Sequence, residues 1–146
     1  MKEIKSEIII ESSADKVWKI LMDFKRYPEW NPFIKSISGE PRVGETLQTF
    51  LQPQGASGMK FTPTVLVAEE DREFRWLGKL WFGGLFDGEH SFVIEPMDEN
   101  KIRFVHSEKF KGILVWLLSG AIKGTEKGFE LMNKALKERA EKQEGK

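Results

Sequence analysis

At 146 residues the chain is long enough for one packed core and short for two. Lys plus Arg and Asp plus Glu each number 23, so the formal net charge is zero, and no general attraction to nucleic-acid backbones or anionic lipid is expected. The absence of cysteine excludes disulfides and thiolate chemistry, and the longest apolar run, residues 113–118, is far below the roughly 20 residues that span a bilayer.

The first residues alternate charge with isoleucine and lack the apolar core of a signal peptide, so a cytoplasmic location is the expectation. Ile4, Ser6, Ile8 and Ile10 fall on one face, opposite Lys5, Glu7 and Glu11, which is the period of a half-buried strand. Helix-start chemistry follows. Ser12 with Asp15 has the form of a capping box, and Ser13 is the rival cap. Val17, Ile20, Leu21 and Phe24 then recur at helical spacing and predict a short amphipathic helix. Pro28 and Pro32 bias their predecessors away from helix, leaving room for only a second short helical segment.

From Phe33 onward the pattern is strand and turn. Residues 34–38 form a strand, 39–44 a turn, and 45–52 a second strand with Leu47, Thr49 and Leu51 on one face. Residues 60–69 read as a third strand, whose Pro63 points to an edge or a bulge. A fourth strand spans 72–80. A Gly-Gly loop follows, carrying Trp81, Phe82, Leu85 and Phe86, and then a hairpin of 87–95 with 101–110 around Met97, Asp98 and Glu99. A long helix closes the chain from about 113 to 142. Its stripe is Leu118, Ile122, Thr125, Phe129, Met132 and Leu136, and its water-facing side carries Lys123, Glu126, Lys127, Glu130, Lys134 and Lys137. Gly120, Gly124 and Gly128 repeat along one face of that helix, where they would allow near contact with another backbone or loosen the first turns.

The order strand, two short helices, six strands, long helix predicts an α+β fold: a curved antiparallel seven-stranded sheet wrapped around the terminal helix. With Val17-Trp18, Tyr27-Pro28-Glu29-Trp30-Asn31-Pro32-Phe33, Arg75-Trp76-Leu77-Gly78, Gly88-Glu89-His90-Ser91-Phe92 and His106-Ser107-Glu108-Lys109-Phe110-Lys111-Gly112, the chain resembles the SRPBCC superfamily. This helix-grip group includes START lipid-transfer domains and birch-pollen-allergen-type proteins. The branch it most resembles is that of small bacterial polyketide cyclase/dehydratase-like proteins. The resemblance implies one helix-grip domain over residues 1–146, with a cavity between sheet and helix for a small hydrophobic, lipid or polyketide-like ligand. No cofactor is implied. The superfamily hosts carriers, enzymes and regulators, so the fold does not choose among them.

Parity places the candidate site. His90, Phe92 and Ile94 share one strand face, and Ile102, Phe104, His106, Glu108 and Phe110 share one on the partner strand. Matching these more apolar faces pairs Phe92 with Phe104, Ile94 with Ile102 and His90 with His106. Both histidines of the chain and Glu108 are thus expected on the concave surface. One reading makes them hydrogen-bonded, semi-buried polar groups with Glu108 solvated near the cavity mouth. The other makes His106 or His90 a general acid/base whose tautomer and pKa Glu108 sets. Two histidines and a carboxylate also suit a divalent cation, but the resemblance does not favour one, and no metal is expected.

The 11 Phe and 5 Trp suit a bulky core or the wall of a ligand site. Trp76, Phe92, Phe104 and Phe110 are expected in the wall, Ile122, Phe129 and Met132 in the helical roof, and Trp30 at the mouth as a lid or a corner filler. Trp18 is expected in the core or in helix packing, and Arg75 to point outward if Trp76 points inward. The loop 81–86 could be an apolar entrance or the contact surface of a homodimer. Three function classes follow: a binding module for a small hydrophobic molecule, a cyclase, dehydratase or hydrolase using His90, His106 and Glu108, and a partner-binding protein acting through that loop. Neither nucleic acid nor an integral membrane segment enters any of them.

Overall fold

The structure, a computed structural model, describes residues 2–52, 58–80, 86–112 and 119–142, with all side chains of these except those at 80, 86 and 119–123. β1 (Lys2–Ile10) buries Ile4 and Ile10, as its alternation requires. α1 (Ala14–Met22) is capped by Ser13, not Ser12. The Ser13 hydroxyl accepts from the backbone N–H of Lys16 and donates to Asp15, and Ser13 itself is extended. Val17, Ile20 and Leu21 turn inward. A 3-10 turn (Phe24–Arg26) and the short α2 (Tyr27–Trp30) follow. The buried Tyr27 hydroxyl donates to the Leu21 carbonyl at 2.7 Å, and burial pushes it well above the ordinary phenol range.

Among the described residues eight strands form two antiparallel sheets, where the sequence suggested seven in one. β2 (Ile34–Ser38), β3 (Gln48–Leu51) and β4 (Met59–Phe61) make the smaller sheet. β5 (Thr64–Glu69), β6 (Glu73–Leu80), β7 (Phe86–Asp98) and β8 (Lys101–Lys111) join β1 in the larger, in the order β1-β8-β7-β6-β5. The expected third strand is divided at Thr62 and Pro63, because proline has no N–H to continue a ladder. The break is where the sheets meet: Thr46 bridges Thr64, and the Leu47 N–H donates to the Pro63 carbonyl at 2.8 Å.

The β7–β8 hairpin corrects the expected register. Phe92 pairs with His106, Ile94 with Phe104, and His90 with Glu108. The turn falls on Glu99 and Asn100, later than expected, and together with a one-residue irregularity between Pro96 and Asp98 this displaces the partner strand by two residues from the expected pairing. A shift of two preserves the side-chain face, so the inward set is unchanged.

α3 (Ser119–Lys142) lies chiefly on β1, with contacts to β8 and α1. It buries Phe129, Met132, Asn133, Leu136 and Ala140, while Glu126, Lys127, Glu130 and Lys134 face water. Full burial of each large apolar side chain contributes about 1.5–3 kcal/mol. Near the helix end Lys137 donates to the Ile9 carbonyl at 2.9 Å, and the Glu11 N–H donates to Glu141 at 2.9 Å, fixing α3 to the end of β1. Among the described residues no helix is long and apolar enough to cross a membrane.

Candidate functional site

The inward faces of four strands meet under α3. Cross-strand pairing sets them in two rows, Trp76–His90–Glu108–Ile4 and Phe74–Phe92–His106–Ser6. Residues one step apart on the diagonal also touch, and this gives the site its connectivity. His90 Nε2 and His106 Nε2 lie 2.7 Å apart, and both histidines are wholly buried. At that separation one nitrogen donates and the other accepts, and no cation fits between them. His106 Nδ1 meets Asn133 Oδ1 at 2.9 Å, and Asn133 Nδ2 donates to Ser6 Oγ at 3.2 Å. At the other end Glu108 Oε1 lies 3.2 Å from His90 Nδ1, within ion-pair range but off the line of a hydrogen bond, so that nitrogen has no aligned partner. A polar chain thus crosses the core from Ser6 on β1 to Glu108 on β8.

Aromatic rings enclose the chain. His106 stacks on Phe129 with centroids 3.9 Å apart, and His90 stacks on Trp76 at 4.9 Å. Phe33 covers His90 from another side at 6.3 Å. Its position follows from the proline-flanked corner, where Asn31 Oδ1 accepts from the Phe33 and Ile34 N–H groups and turns the chain inward. Burial first, and neighbouring His90 second, hold His106 well below the ordinary imidazole range, against an opposing pull from its hydrogen bond to Asn133. The Glu108 side chain keeps 11% exposure. Its Oε2 occupies the space over Gly88 where a Cβ would stand 2.3 Å away.

The structure brings together most of the residues picked out in the sequence: Trp76, His90, Phe92, Phe104, His106, Glu108 and Phe129 form one cluster of contacts. Phe110 and Met132 are buried on the same faces. Trp30 stands apart from the histidines. It packs edge-on against Tyr27 at 5.3 Å and lines a surface cleft of about 290 Å³ with Ile20, Arg26 and Arg139. Trp18 packs against Phe74, and Arg75 points outward to Glu73 and Glu89, as expected. The Ile122 side chain and the loop 81–85 lie outside the described residues. Asn133, Phe33 and Gly88 were not singled out for the site. Asn133 could have been found by spacing alone, because it lies four residues after Phe129 and three before Leu136.

A curved antiparallel sheet closed by a terminal helix, with a polar chain in an aromatic interior, defines a helix-grip protein. The chain belongs to the family described as polyketide cyclase / dehydrase and lipid transport, which it matches over residues 1–141. It is similar in structure to a START superfamily protein from Mycobacterium smegmatis, at 22% identity and a TM-score of 0.72, covering 96% of this chain and 97% of that one. The Zhui aromatase/cyclase from Streptomyces sp. R1128 is similar at 14% identity and a TM-score of 0.74, covering 96% and 93%. XoxI from Bacillus cereus is similar at 17% identity and a TM-score of 0.73, covering 99% of each. At such identities these likenesses establish the fold. No curated protein matches the sequence significantly.

Proposed function

We propose that the chain holds a small, largely apolar molecule between the concave sheet and α3, with the ligand's polar end at Glu108. The carrying observation is the placement of that carboxylate: partly exposed, at the end of a buried polar chain, in a wall otherwise built of aromatic rings. Specific sites of this kind pair an apolar lining with a few fixed polar groups. A carboxylate accepts hydrogen bonds, so the matching ligand group is a hydroxyl of an alcohol, enol or phenol. The family description supports a lipid or polyketide-like skeleton. Fatty acids, isoprenoids and hydroxylated aromatic polyketides, screened by native mass spectrometry and tryptophan quenching, should yield a micromolar ligand, and its methyl ether should bind more weakly. A panel in which nothing binds at that level refutes the reading.

The 2.7 Å contact between His90 and His106 favours a second reading, a cyclase-, dehydratase- or hydrolase-type enzyme. Such chemistry moves a proton beside a carbonyl, and two linked imidazoles with a carboxylate suit that task. His90→Gln and His106→Gln would then keep ligand binding while turnover falls. A cytoplasmic location is part of the same proposal. So is a homodimer through the loop 81–86, which gel filtration of a Trp81→Ser, Phe82→Ser variant would test.

A further inference from the structure

The orientation of one amide fixes the proton positions along the whole chain. Asn133 Nδ2 donates to Ser6 Oγ, which leaves Oδ1 facing His106 Nδ1, and an amide oxygen can only accept. His106 Nδ1 therefore carries a proton. Burial and the neighbouring His90 keep His106 neutral, so its Nε2 is a bare lone pair, and His90 Nε2 must be the donor across the 2.7 Å contact. That uses the single N–H of a neutral His90. It would leave the His90 Nδ1 lone pair against a Glu108 oxygen at 3.2 Å. Two acceptors at that distance repel, so one more proton belongs between them.

Three features put that proton on His90. The contact is off the line of a hydrogen bond, and an ion pair tolerates this because Coulomb attraction has no preferred angle. His90 lies against two near-parallel aromatic faces, Trp76 at 29° and Phe33 at 22°, which favour a cation. The charge count agrees. With the proton, Glu108, His90 and His106 sum to zero; without it, a lone carboxylate would stand at this almost buried position.

We infer that Asn133 is a positioning residue that, through the tautomer of His106, holds His90 as an imidazolium paired with Glu108, so that one proton is stored beside the ligand-facing carboxylate. Among the described residues the titratable groups against His90 are Glu108 and His106, both from β8; β6 brings Trp76, the corner before β2 brings Phe33, and α3 brings Phe129, none of which titrates near neutral pH. On the binding reading, this proton keeps the His90–Glu108 pair neutral overall while the carboxylate accepts from the ligand's hydroxyl. The stored proton itself does not depend on a ligand.

Ring-nitrogen NMR of histidine-labelled, ligand-free protein near neutral pH tests the inference. One ring should be doubly protonated and the other neutral with its proton on Nδ1. In Asn133→Leu the His106 proton should move to Nε2 and His90 should lose its second proton. Glu108→Gln, whose amide can donate to His90 Nδ1, should likewise leave His90 singly protonated, and it serves if the leucine variant does not fold. Two neutral rings in the wild type, a His106 proton on Nε2, or tautomers unchanged in the variants would overturn it. Because no ligand is present, a failed ligand screen leaves this result standing, and the reverse also holds.

Discussion

A Cβ at Gly128 would stand 2.4 Å from Phe33 Cδ1, and the Phe33 ring is held by Phe129 at 5.5 Å and by both histidines at 6.3 Å. At Gly88 the overlap is equally severe on paper, 2.3 Å to Glu108 Oε2, yet there the displaced atom ends a flexible side chain with a route toward water. The two glycines should therefore answer differently to alanine. Gly128→Ala gains about 1 kcal/mol in helix propensity and loses about 1–3 kcal/mol to overpacking, so urea unfolding should show net destabilisation. Gly88→Ala should cost under about 1 kcal/mol, the scale of one side chain pushed off its rotamer. It should weaken the ligand proposed at Glu108 about tenfold, the worth of one hydrogen bond to a charged group. Unchanged affinity would remove the Gly88 cradle from the site. In the sequence these positions were legible only in part. The helical glycines asked for a close neighbour, but only the fold supplies Phe33; spacing puts Asn133 on the inward stripe, but only the fold supplies His106 and Ser6 as its partners.

Strand faces follow from a period of two and survive any even slip, which is why His90, His106 and Glu108 could be placed inward without the register. Register depends on the turn, and the turn was read one position early because nothing local marks the irregularity at Pro96 to Asp98. The same limit applied at Pro63: the expected edge is there, since β4 and β5 are both edge strands, but nothing local shows that the chain leaves one sheet for the other. The terminal helix was legible throughout its described length, since a stripe at 3.6-residue spacing needs no partner to be seen. Its hold on the sheet is uneven. From Gly128 to Ala140 the inward residues are buried, whereas Gly124 and Thr125 are half-buried and Glu126 and Lys127 exposed. Glycine at 120 and 124 weakens the first turns further. Amide exchange should therefore be slower over residues 128–140 than over 119–127, with the Lys137 and Glu141 ties adding protection at the far end. Equal protection along α3 would show that the first turns are held as firmly as the rest.

For the molecule as a whole, a neutral imidazole at the centre of the core makes folding depend on pH. His106 sits well below its ordinary value, chiefly through burial, so the folded chain resists a proton that the unfolded chain accepts as pH falls through about 6.5. At this ring the unfolded state then binds more protons, and the contribution of His106 to stability must fall as the solution is acidified. The loss can reach at most about 1.4 kcal/mol for each pH unit, the free energy of one proton. Carboxylates add a separate loss at lower pH. Asp15, lowered by the Ser13 hydroxyl, and Glu29, lowered by Arg139, contribute above their unfolded values of about 4 and lose that contribution as pH falls below them. The interval between about pH 5 and 6.5 therefore belongs to the core rather than the surface. On acidification across it, the thermal midpoint should decline more steeply in the wild type than in His106→Gln, whose side chain cannot charge, whatever the absolute stabilities. Equal slopes in the wild type and the variant would mean that the ring takes a proton as readily inside as in water. With no solvent exposure and Phe129 stacked 3.9 Å away, an uncompensated charge there has no water to replace its lost solvation, so the steeper wild-type decline is the expected one.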